Sequence, residues 1–90
     1  MEPFINHLTQ TFRQQWHDEQ IRLNVSEIVP GSHRVGGYMV WQGFEDLTQR
    51  ERHRMVWDVL RANLALNEQQ NISTILTLTP LEEQAILENE

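Results

Sequence analysis

The chain has 90 residues, with seven basic against thirteen acidic side chains and a formal charge of −6. Every basic residue is Arg, and there is no Cys, which excludes disulfides, thiolate metal centres and a Cys nucleophile together. A chain this short buries only about 60% of its unfolded surface, enough for one core and one binding face, so residues 1–90 read as a single domain.

The first predicted element is a helix beginning near Pro3, on which Phe4, Ile5, Leu8, Phe12 and Trp16 recur at helical spacing. Ile21, Leu23 and Val25 then alternate with Arg22, Asn24 and Ser26, the pattern of a half-buried strand. Pro30-Gly31-Ser32-His33-Arg34 has loop chemistry. Tyr38-Met39-Val40-Trp41 is apolar throughout and predicts a short strand that is central or covered on both faces, with Gly36-Gly37 leaving its start weakly specified. Thr48 and Glu51 form a capping box for the next helix, on which Met55, Val56, Val59, Leu60 and Ala62 share an apolar arc. Asn67 to Asn71 reads as a polar turn, and Ile72 to Leu78 as a third strand. A second capping box, Thr79-Pro80-Leu81-Glu82, predicts a short acidic closing helix. The pattern is an α+β sandwich in which two long helices cover a three-stranded sheet. Ile5, Leu8, Phe12, Val40, Val56, Leu60 and Ile75 are expected to meet in one cluster.

An apolar strand, Phe44, a polar turn and then Arg52-His53-Arg54-Met55-Val56 with Leu60 form an uncommon order of parts. With Thr79-Pro80-Leu81-Glu82-Glu83 near the end, this order resembles the BolA-like family, small proteins related to the KH fold. The resemblance covers about two thirds of the chain and is strongest from Val40 to Leu64. It implies a two-layer αββααβ fold of KH type II kind with a mixed sheet, and a helix-turn-helix-like unit around residues 44 to 65.

The resemblance also implies a non-enzymatic adaptor whose partner is a monothiol glutaredoxin, acting in iron or redox homeostasis and able to share an iron–sulfur cluster with that partner. The family's metal-binding histidine sits at the start of the third strand, where this chain has Ser73; a second family ligand comes from the loop that holds His33. A hydroxyl cannot replace a neutral imidazole as a soft iron ligand. The expectation is therefore no cofactor for the chain alone and at most a labile shared cluster dependent on His33.

No nucleophile with an activating base, phosphate-cradling Gly-rich loop or complete metal-ligand spacing appears, so no enzymatic activity is expected. The candidate contact residues are Arg50, Arg52, His53, Arg54, Trp57 and Arg61. Arg50, Arg54 and Arg61 fall opposite the apolar arc, with Arg54 placed to pair with Asp58 at i, i+4. His53 borders the arc, where half-buried packing competes with a contact role. Trp16 and Trp41 fit the core, whereas Trp57 lies off the arc and reads as exposed or interfacial. His7 and His17 are ten apart and are expected to lie on different faces as surface residues.

The alternative reading is a KH-like nucleic-acid-binding or transcriptional regulatory protein that uses the same Arg-bearing helix. The −6 charge opposes generic phosphate binding, and the glycines do not form the GXXG loop of KH domains. Met1-Glu2-Pro3 lacks the basic start of a secretory signal, and no apolar run reaches membrane-spanning length. A soluble cytoplasmic protein, monomer or homodimer, without a membrane partner is expected.

Overall fold

The computed structural model describes residues 2–89. Helix α1 spans Glu2–Gln15 and buries Leu8, Thr11 and Phe12, the middle of the predicted apolar stripe. Strand β1 (Arg22–Glu27) pairs antiparallel with β2 (Val35–Val40), and β2 pairs in parallel with β3 (Ile72–Leu78). The result is a three-stranded mixed sheet in the order β1-β2-β3, with β2 central. A 3-10 turn at Gln42–Phe44 leads into α2 (Gln49–Asn63), and α3 (Leu66–Gln70) follows at once. The αββααβ core is closed by α4 (Pro80–Glu88). Among the described residues no helix is long and apolar enough to cross a membrane.

Helices α1 and α2 lie against each other on one face of the sheet, α1 over β1 and α2 over β3. Leu8, Phe12, Val56, Leu60 and Ile75 meet there with Val25, Val35, Met39 and Phe44, and Ile5 packs at the margin. Val40 does not belong to this cluster. It is only 2% exposed, but successive strand side chains alternate, so Met39 enters the core while Val40 is buried on the opposite face. An apolar run carries no parity signal, and the sequence could not choose between them.

Four further expectations are corrected. The second strand starts at Val35, because Gly37 is demanded rather than merely tolerated: a Cβ there would lie 2.0 Å from the Asn24 carbonyl oxygen of β1. Ala62 is exposed, and the inner stripe of α2 is instead completed by Arg52. The predicted polar turn after Asn67 is α3, started when the Glu68 carboxylate accepts from the Ala65 N–H. Residues 44 to 65 hold only the end of the 3-10 turn and α2; the helical pair is α2 with α3, joined at Leu64 and Ala65.

Helix α4 is held by unusual means. Both halves of its capping box form, Thr79 with Glu82, yet none of its residues is fully buried. The Glu83 carboxylate accepts from Arg22 at 2.7 Å and the Glu82 carboxylate from Arg52 at 2.7 Å, anchoring α4 at the end of the sheet where β1 begins and β2 and β3 finish. Leu81, Ile86 and Leu87 stay in solvent.

Candidate functional site

The Thr48 hydroxyl accepts from the Glu51 N–H, and the Glu51 carboxylate accepts from the Thr48 N–H, so the start and phase of α2 are fixed locally. Bonding to the Thr48 backbone, then to its hydroxyl, with the Arg54 charge adding least, holds the Glu51 carboxyl below the ordinary glutamate range. That phase turns Arg50, His53, Arg54 and Arg61 outward. With Trp57 and Asp58 they line one shallow depression of about 340 Å³. The His53 and Trp57 rings lie 6.2 Å apart at 47°, and Trp57 also leans on the core, making it half-buried rather than free. His53 is exposed, not half-buried at the packing border. Asp58 accepts from Arg61 at 3.4 Å, one turn on, and not from Arg54 as expected.

Arg52 separates from this group. It is 5% exposed and points the other way, its Nε donating to the Leu47 carbonyl and its Nη1 to the Thr77 carbonyl at 3.2 Å. Nη1 and Nη2 also form a two-pronged pair with the Glu82 carboxylate, and the guanidinium sits 5.7 Å from the Phe44 ring centre. Since Leu78 gives its carbonyl to Trp41 across the ladder, the neighbouring Thr77 carbonyl points off the free edge of β3. Arg52 caps that edge. Buried and with four of its five N–H groups bonded, Arg52 faces away from the outer surface that the other candidate contact residues share.

The two positions that the family resemblance marks for metal binding share one end of the sheet. Val35 pairs with Ile72, and the Val35 N–H donates to the Asn71 carbonyl, so the loop holding His33 lies beside the start of β3 at Ser73. His33 is exposed with φ of 61°, and its N–H donates to the Glu27 carboxylate. The two marked positions offer one imidazole and one hydroxyl, with the hard Glu27 carboxylate beside His33, which does not fit a soft cluster site. Among the described residues no group of three or more His, Cys, Asp or Glu side chains is arranged to hold a metal ion.

Three features escaped the sequence. His7 and His17 line one polar hollow of about 330 Å³ with Thr11 and Asn63, because His17 turns into the left-handed region (φ 54°) after α1. Arg13, for which the sequence carries no signal, sends its Nε to the Ile21 carbonyl at 2.9 Å and so caps the start of the free edge of β1. Asp18 accepts from the Gln20 N–H and from the Trp41 indole, contacts that lower its pKa and pin the turn after α1 to the end of β2. No family model matches the sequence, and no curated protein matches it.

Proposed function

We propose that this chain is a BolA-like, non-enzymatic adaptor that binds a protein partner through the outer face of α2. The observation carrying this reading is the convergence of Arg50, His53, Arg54, Trp57 and Arg61 on one exposed depression. Arginine offers planar, multi-donor contacts to carboxylates, and a half-buried Trp offers large area at little rotamer cost. The fitting partner surface is acidic with an apolar centre, and the family resemblance names a monothiol glutaredoxin as the protein to try. His33 and Ser73 do not fit a shared cluster, so the association does not rest on one.

Titration calorimetry of the chain with a monothiol glutaredoxin, in the absence of iron, tests the reading. Binding that Arg54→Glu weakens by about tenfold, the loss of one charge-assisted contact, supports it. Loss of tight, salt-sensitive binding to DNA or RNA in the same variant supports the nucleic-acid alternative instead.

A further inference from the structure

The two edges of the sheet are finished differently. The Ile28 N–H donates to the Arg34 carbonyl, and β1 pairs Glu27 with Val35. Alternation along an antiparallel ladder then directs the N–H and C=O groups of Leu23 and Val25 away from β2. Among the described residues nothing takes them; only the Ile21 carbonyl, at the start of the edge, is capped, by Arg13. Beside these open groups runs a groove of about 480 Å³, walled on one side by Ile5, Asn6, Thr9 and Arg13 of α1 and on the other by Leu23 and Val25. Its α1 wall is a single stripe at helical spacing. The groove is electrically polar along its length: Glu2 stands at the Val25 end, Arg13 and Arg22 at the other. Arg22 is engaged by Glu83, while Arg13 spends Nε on Ile21 and keeps its Nη groups without a partner among the described residues.

We propose that this groove receives the extended C-terminal segment of another protein, which adds to β1 as an antiparallel strand and presents its terminal carboxylate to Arg13. Exposed edge groups supply main-chain bonds, and an adjoining groove supplies the side-chain discrimination that such strand addition requires. Charge complementarity sets the direction, since a carboxylate is repelled by Glu2 and attracted by Arg13. The strand must stop there because Ile21, the next outward carbonyl, already belongs to Arg13. Beyond Arg13 and Arg22 the surface becomes acidic with Asp18 and Glu19. The partly buried Ile5 and Leu23 at the wall favour an apolar residue in the segment. This surface is separate from the outer face of α2, and neither reading depends on the other.

The test uses a library of random octapeptides with free C-termini, and the same library amidated, against the isotopically labelled chain. Recovered free-acid peptides should shift the amide resonances of Leu23 and Val25 and protect them from exchange. Amidation and Arg13→Gln should each weaken binding by about tenfold, the worth of one charge-assisted contact. Asn6→Trp, which fills the groove from an exposed helix position, should abolish binding while the chain stays folded. Recovery of no peptide, indifference to Asn6→Trp, or shifts confined to residues 50–61 each overturn the proposal; the last would place the peptides on α2 instead.

Discussion

Arg52 and Arg54 sit two residues apart on one helix and occupy opposite worlds. Arg52 is buried among Phe44, Leu47, Thr77 and Glu82, with four of its five N–H groups bonded to two backbone carbonyls and a carboxylate. Arg54 stands in solvent beside Trp57, with no salt bridge among the described residues. A rotation of about 200° separates adjacent-but-one positions on a helix, which is enough to turn the same side chain from a structural tie into a contact surface. Residue type alone therefore says little about an arginine's task. What decides it is whether the neighbouring elements bring carbonyls to meet it.

The largest way to break this contrast is Arg52→Ala. It strips the Leu47 and Thr77 carbonyls of a donor and leaves Glu82 without its cation, and unpairing a buried charged contact costs about 3–5 kcal/mol. Because Glu82 keeps partial access to water, about 2–3 kcal/mol is expected, a fall in Tm on the order of 10–20 °C for a domain of this size by calorimetry. An unchanged Tm would mean that the buried network contributes nothing net.

Acid should reproduce part of that loss without mutation. Bonding to Arg52 first, then to the Thr79 backbone, lowers the Glu82 pKa, and bonding to Arg22 lowers that of Glu83. Carboxyls with depressed folded-state pKa contribute stability above the ordinary glutamate range, and that stability fades as pH falls through the folded values. Helix α4, held by these two carboxylates and burying no residue fully, should come away before the sheet melts. Protection factors at Ile86 and Leu87 that fall in acid before that at Met39 would show it; a simultaneous fall would refute it.

Glu82→Gln is a milder version. The amide oxygen can still cap the Thr79 N–H, so only the charge of the pair is removed, and about 1 kcal/mol is expected by urea titration. Arg54→Glu should be smallest of all on stability, within about 0.5 kcal/mol, as is usual for surface positions. Its effect belongs to partner binding. If Arg54→Glu unfolds the chain, the two arginines are not distinct after all.

Much of this arrangement was legible beforehand where local chemistry decides. Both capping boxes form as read, with Thr48 and Thr79 as caps. The third strand runs from Ile72 to Leu78 as predicted, because polar residues and a cap bound it on both sides. Two of the misplacements come from a dependence on distant chain, and a third from a pattern that hides strand parity. Arg52 is inside only because β3 delivers Thr77 and α4 delivers Glu82, twenty-five and thirty residues on. Val40 and Met39 exchange roles by strand parity, which a wholly apolar run hides. Gly37 needs its bare backbone only because Asn24 crosses close by. The outward stripe of α2 could be read from helical periodicity, but the unpartnered edge of β1 has no signature in the sequence at all.

The aromatic node at the end of β2 has an optical consequence. Trp16 and Trp41 stack with ring centres 4.5 Å apart and planes within 12°, and Phe44 meets both edge-on. Indoles held this close couple their transitions, so the folded protein should carry an exciton couplet in its circular dichroism that vanishes when α1 leaves the sheet. Trp57 stands outside that stack, on the α2 face, and its emission reports a separate event. Circular dichroism and emission of the unlabelled chain, taken together, thus distinguish loss of the fold from occupation of its surface.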